Sequence, residues 1–91
     1  MLSFKSFDEV IERANNHELG LCSYLCTNSM ERAHLASEQL ETGSVAVNTG
    51  VVAIAEAPFG GIKQSGYGRE GGSNAIKDYL NVKYTHLGIK G

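Results

Sequence analysis

Between Ala57 and Gly72 the chain reads APFGGIKQSGYGREGG, with six glycines and the only proline of the sequence. A run like this is hostile to regular helices and strands. Glycine loses the most conformational freedom on folding, yet it permits positive φ and close approach of one backbone to another. The segment therefore predicts tight turns and backbone packed on backbone. Pro58 fixes the entry. Phe59 is the large apolar group there, and it has to find a buried place. Lys63, Arg69 and Glu70 are charges in a frame of small residues, suited to fixed ion pairs or to backbone contacts across an interface.

Inside the run, Gly66-Tyr67-Gly68-Arg69-Glu70-Gly71 spells G-x-G-x-x-G. A dinucleotide-binding loop of that form closes a hydrophobic strand and opens a helix. An acidic residue follows about 20 residues later. Here the preceding residues, GGIKQS, are no strand, and Arg69 and Glu70 occupy the middle pair. The match reads as incidental to the glycine content. A small nucleotide-binding protein using Gly66 to Gly71 stays as a minor alternative. A Walker loop is excluded, because no G-K-[S/T] ends the run.

Upstream, the pattern alternates helix and strand. Ser6-Phe7-Asp8-Glu9 is a capping box, in which the Ser6 oxygen accepts from the first turn and Glu9 reaches back to the Ser6 N–H. Phe7, Val10, Ile11 and Ala14 then mark one helical stripe. Gly20 is available for positive φ after that helix. LCSYLCT, residues 21–27, reads as a short apolar strand. Asn28 or Ser29 caps a second helix with Met30, Ala33, Ala36 or Ser37, and Leu40 on its apolar side, and Gly43 stops it. SVAVNTG is a buried strand, rich in valine and too short for a helix. The strand–helix–strand order favours parallel pairing and a right-handed crossover. A short helix is expected from about Ser73 to Leu80, with Ile76, Tyr79 and Leu80 on one side. VKYTHLGIKG reads as a final strand, with Val82, Tyr84 and His86 alternating with Lys83, Thr85 and Leu87.

These elements do not add up to an independent domain. The chain has 91 residues, one small domain at most. Its strands look buried on both faces, which calls for more neighbours than the sequence provides. The 22 residues from Val51 to Gly72 make a long connection for a body of this size. The chain reads as a piece of something larger.

Composition narrows the function classes. The hydrophobic share is 42 %, the charged share 20 % and the net charge −2, with signs mixed. This is globular and offers no basic patch for nucleic acid or for a membrane surface. No apolar run approaches the roughly 20 residues that span a bilayer, and the N-terminus lacks a secretory signal pattern. Cys22 and Cys26 are spaced C-x-x-x-C, with no second pair to complete a metal site. On a strand they share a face, and two small buried residues are the expectation. The absence of a disulfide framework suits a reducing cytoplasm.

The block Asn48-Thr49-Gly50 followed by Ala57 to Gly71, with P-F-G-G-x-K-x-S-G-x-G-R-E at its centre, resembles the C-terminal signature of the NAD(P)-dependent aldehyde dehydrogenase family. The likeness extends over nearly the whole chain, including FDEVIERANNHELGL and IKDYLNVKYTHLG. It is closest to the succinate-semialdehyde dehydrogenase branch. The resemblance implies an α/β fold. Residues 1–80 would be the C-terminal part of the catalytic domain, with a substrate-anchor loop at 48–59 and a glycine-rich signature loop at 60–72. Residues 81–91 would be an oligomerisation-arm strand.

The family reaction oxidises an aldehyde to the acid. A cysteine thiolate attacks, hydride passes to NAD or NADP, and a glutamate-activated water hydrolyses the thioester. The nucleophile, the general base, the oxyanion asparagine and the cofactor loop all fall outside the matching part. No catalytic or metal-binding residue is therefore assigned, Cys22 and Cys26 included, and the chain by itself is expected to be inactive. The resemblance does imply that Val51, Val52, Ala53 and Ile54 approach the aldehyde's tail. It also implies that Phe59 walls the substrate tunnel; plain core packing is its other reading.

Arg69, Glu70, Asn81 and Lys83 match positions near a subunit interface, and a dimer or tetramer through the terminal strand is implied. Two departures stand out. Ala53 lies where succinate-semialdehyde enzymes often carry a serine, so an aliphatic or longer aldehyde stays open. Asn81 lies where many relatives carry a glutamate. The alternative is an inactive, partner-binding fragment.

Overall fold

The computed structural model describes residues 1–90. In chain order these form α1 (Phe7–Asn15), β1 (Leu19–Gly20), β2 (Cys22–Leu25), α2 (Met30–Gln39), β3 (Ser44–Val47), β4 (Ile62–Lys63) and a 3-10 helix (Ala75–Tyr79). The α/β expectation holds.

α1 starts where the capping signal puts it. The Ser6 hydroxyl accepts from the Glu9 N–H at 3.2 Å. The second half of the box differs, because Glu9 accepts from the Lys5 N–H at 2.8 Å instead of from Ser6. The helix stops at Asn15, well before Gly20. There the Asn15 side chain donates to Gln39 O at 2.7 Å and accepts from the Glu41 N–H at 2.8 Å, tying the ends of the two helices together. Gly20 is not a left-handed cap; it sits in β1. Space requires its glycine, since a Cβ would lie 2.8 Å from Glu41 O and 2.9 Å from the Ile62 side chain.

For α2 the cap is Ser29, accepting from the Arg32 N–H at 3.2 Å. Ala36 is buried, and Ala33 and Leu40 are half-buried, but Met30 stays 84 % exposed. β2 and β3 pair in parallel, Cys22 with Ser44 through Leu25 with Val47, as a helix-length crossover dictates. β1 and β4 make a separate antiparallel pair.

Among the described residues, Ala36 and Ala46 are the only buried apolar ones. The strands are half-buried, contrary to the two-sided burial expected of them, because no further layer covers the two-stranded sheet. Phe7, Val10, Ile11, Leu25, Ala36 and Leu40 instead line an open apolar groove of about 450 Å³. The radius of gyration is 18.9 Å, with extents of 73 × 25 × 20 Å. A compact chain of this length would have about 12 Å.

Two sequence expectations change at the C-terminal end. The helix expected from Ser73 to Leu80 is a short 3-10 helix without a side-chain cap, and Ile76, Tyr79 and Leu80 remain exposed. Residues 81–90 form no ladder within the chain. A strand there needs a partner from outside it.

Candidate functional site

The loop from Asn48 leaves the carboxyl ends of the parallel pair, where α/β sheets present their ligand sites. Asn48 makes the corner. Its N–H donates to Leu25 O at 2.8 Å, and its side-chain amide exchanges two 2.9 Å bonds with the backbone of Thr27. Its φ is +57, a left-handed conformation that asparagine tolerates better than most residues. Beyond it, Val51, Ala53 and Ile54 are exposed and Val52 is half-buried. The loop thus presents an apolar surface with no hydroxyl at Ala53. A turn from Ile54 O to the Ala57 N–H, 3.3 Å, closes it.

The glycine-rich segment proves to be a hairpin. Phe59 and Glu70 exchange backbone bonds of 2.7 and 2.8 Å, and the Gly72 N–H donates to Ala55 O at 2.9 Å. Arg69 threads its guanidinium onto Gly61 O at 2.9 Å and Gly68 O at 2.7 Å. Phe59 is half-buried on one lane. β4 lies inside what the sequence suggested was an unstructured connection.

The hairpin tip is fastened to the α/β body. Lys63 Nζ donates to Asn15 O at 2.9 Å, His17 O at 3.2 Å and Glu41 Oε2 at 3.1 Å. That satisfies all three ammonium donors. The Gln64 N–H reaches Glu18 O at 3.0 Å, and the Gly20 N–H reaches Ser65 Oγ at 2.9 Å. A Cβ on Gly43 would collide with Gly60 O, so the turn between α2 and β3 meets the hairpin backbone to backbone.

These contacts sort the residues the sequence singled out. Lys63 and Arg69 make fixed internal bonds, while Glu70 contributes its backbone and leaves its side chain exposed. Asn81 and Lys83 are exposed in the tail. Cys22 is half-buried and Cys26 exposed, so the expected burial of both fails at Cys26, which lies one residue beyond β2. Cys22 Sγ and the Tyr24 hydroxyl share a hydrogen bond at 3.6 Å. This hydrogen bond, then the charge of Cys22 and then desolvation, pushes the Tyr24 phenol above its ordinary value.

Sequence reasoning missed Asn15 and Glu41 as ties. Their partners are 22 to 48 residues away, beyond any local pattern. The positive φ of Lys63, +55, has no sequence signal either.

The segment from Gly66 to Gly71 lacks the geometry of a dinucleotide-binding loop. Gly66, Gly68 and Gly71 all have positive φ within the hairpin, and the next element is the 3-10 helix at Ala75. No α-helix N-terminus is offered to a pyrophosphate there. Among the described residues no three His, Cys, Asp or Glu side chains gather as metal ligands. No helix among them is long and apolar enough to cross a membrane.

Comparison with known proteins adds a second line. The aldehyde dehydrogenase family model matches residues 1–85. The chain is 51 % identical over 88 residues to a 3-sulfolactaldehyde dehydrogenase of Pseudomonas putida, covering 97 % of this chain and 18 % of that protein. It is 44 % identical over 89 residues to the succinate-semialdehyde dehydrogenase [NADP(+)] GabD of Escherichia coli, covering 98 % and 18 %. The NAD+ complex of an aldehyde dehydrogenase from Bacillus cereus superposes with a TM-score of 0.92 at 45 % identity, covering 98 % of this chain and 18 % of that one. The chain therefore spans about 18 % of the length of the curated relatives it matches.

Proposed function

The chain belongs to the aldehyde dehydrogenase family, and on that premise we propose that it is the tunnel-lining C-terminal part of a semialdehyde dehydrogenase. The complete enzyme oxidises a short aldehyde with an acidic far end to the corresponding acid. The hydride goes to NAD+ or NADP+ and water supplies the second oxygen. Relatives named for 3-sulfolactaldehyde, glutarate semialdehyde and succinate semialdehyde support this substrate class.

The carrying observation is the apolar loop Val51, Val52, Ala53 and Ile54, held at the carboxyl end of the parallel pair by Asn48 and closed by the hairpin. Its side chains flank the methylenes of the substrate and keep water from them. Phe59, half-buried on the hairpin lane, walls the same passage. With no hydroxyl on the loop at Ala53, the substrate's acid group is held by residues outside this chain. The reacting thiolate, the general base and the cofactor site also lie outside it.

The test is a substrate panel on the complete enzyme. Succinate and glutarate semialdehydes should show kcat/KM about tenfold or more above butanal, the scale on which a satisfied polar end group discriminates. Equal or better turnover of butanal would overturn the substrate class. Residues 1–91 expressed alone should give no aldehyde-dependent reduction of NAD+ or NADP+; measurable turnover would refute that part.

A specific observation favours a second role for the tail. Residues 81–90 are exposed throughout, Val82 at 99 %, and an extended apolar segment without a ladder is a ready edge for pairing. We propose that this segment pairs with a second copy, with Asn81 and Lys83 at the contact and Arg69 and Glu70 nearby, giving a dimer or tetramer. Removing residues 82–91 should leave a monomer by light scattering; an unchanged oligomer would rule this out.

A further inference from the structure

We infer that Gly71 is a positioning residue that sets the reach of the substrate loop, an inference that rests on the function proposed above. Gly71 is left-handed, with φ +68. A Cβ there would stand 2.7 Å from Ala57 O, 3.4 Å from Ala55 O and 3.5 Å from Ile54 O. All three are backbone carbonyls at the base of the loop that carries Val51 to Ile54. Backbone at that distance cannot rotate away as a side-chain end could, so a methyl group displaces the base of the loop itself.

The neighbouring bond strengthens the link. The Gly72 N–H donates to Ala55 O at 2.9 Å, and the Ala57 N–H donates to Ile54 O at 3.3 Å. A Cβ on Gly72, also at φ +68, would approach Pro58 N to 3.0 Å. The far end of the hairpin is held by the Lys63 bonds to Asn15, His17 and Glu41. With the tip fixed, strain introduced at Gly71 is relieved at the open end, where the loop sits. Gly66 supplies the control. It is also left-handed, φ +120, but a Cβ there meets nothing within 4 Å.

The experiment is steady-state kinetics of Gly71→Ala and Gly66→Ala in the complete dehydrogenase carrying this segment. Gly71→Ala should raise KM for succinate semialdehyde about tenfold or more, as loss of binding made equally in the ground and transition states does. Its kcat and its KM for the nicotinamide cofactor should stay within about threefold of the parent. Gly66→Ala carries the strain of its own positive φ but no backbone contact, and should leave the aldehyde KM within about threefold of the parent. An unchanged aldehyde KM in Gly71→Ala, or an equal rise in Gly66→Ala, overturns the inference.

If Gly71→Ala does not fold, hydrogen exchange in the unsubstituted enzyme decides. Succinate, as a dicarboxylate probe, should slow exchange at the Ala57 and Gly72 amides together. Protection of only one of them, or of neither, overturns it. An unsubstituted enzyme that oxidises no aldehyde fails the proposed function instead, and the two failures are distinct.

Discussion

The glycine-rich hairpin and the C-terminal tail are both poor in regular structure, yet they end up in opposite states. The hairpin has few large side chains and is closely tied, by Phe59 with Glu70, Gly72 with Ala55, and Arg69 with Gly61 and Gly68. The tail carries Val82, Tyr84, Leu87 and Ile89, and all four are exposed. Its internal contact is the Tyr84 hydroxyl with His86 Nδ1 at 3.3 Å. Apolar content therefore does not decide which segment is tied to the rest of the chain. Satisfied backbone groups do, because an N–H or C=O held by a partner is fixed whether or not a side chain buries.

The largest test of that contrast is Gly43→Ala, which forces a methyl group against Gly60 O. It should destabilise the complete enzyme by about 3 kcal/mol, the upper range of overpacking, read from chemical denaturation. A loss below about 0.5 kcal/mol would mean that the hairpin accommodates the intrusion and is not close-packed.

Next is Lys63→Met, which keeps the stem and removes three hydrogen bonds. A cost of about 2 kcal/mol is expected, because a charge-assisted bond counts for more than a neutral one. Glu41→Gln leaves the two carbonyl contacts in place and should cost under about 1 kcal/mol, as a partly exposed ion pair does. If Glu41→Gln matched Lys63→Met, the ion pair and not the backbone would hold the tip.

In the tail, Val82→Ser should change the stability of the folded subunit by less than about 0.5 kcal/mol, while shifting the oligomer toward smaller species at low concentration. A large loss of subunit stability would show the tail packed on its own chain.

The smallest effect concerns Tyr24, outside both regions. Its phenol should ionise after that of an ordinary tyrosine in an ultraviolet pH titration, and Cys22→Ala should bring it down. The sign follows from linkage. A folded value raised above the unfolded one adds stability that is present below pH of about 10 and is lost as pH rises through the raised value. Co-titration of Tyr24 with the other tyrosines before and after the substitution would sink the idea.

Much of the first half was legible in the sequence. Ser6, and Asn28 or Ser29, announce the helix starts, because a polar side chain before an apolar stripe has a local acceptor role, and the structure uses Ser29. The two valine- and cysteine-bearing strands, one helix apart, imply parallel pairing, and they pair that way. The family signature around Pro58 to Glu70 was equally readable and led to the family the chain belongs to. Legibility failed where partners are remote. Asn15 looked like the tail of a helix, and it ties Gln39 and Glu41. Gly20 looked like a cap, and it makes room for Glu41 and Ile62. Cys26 looked buried, and it stands one residue past the strand that would have buried it.

The sequence by itself determined the helix starts, the parallel strand pair, the turn-forming character of residues 57–72 and the family. Each depends on near neighbours or on a contiguous motif. Only the tertiary structure decided which carbonyls hold Lys63, which backbone Gly71 approaches, and that the loop after Asn48 and the glycine segment form one tied hairpin. Those outcomes depend on atoms brought within 3.2 Å of one another across up to 48 residues of chain. No local periodicity encodes a distance of that kind, because it is set by how the whole backbone closes on itself.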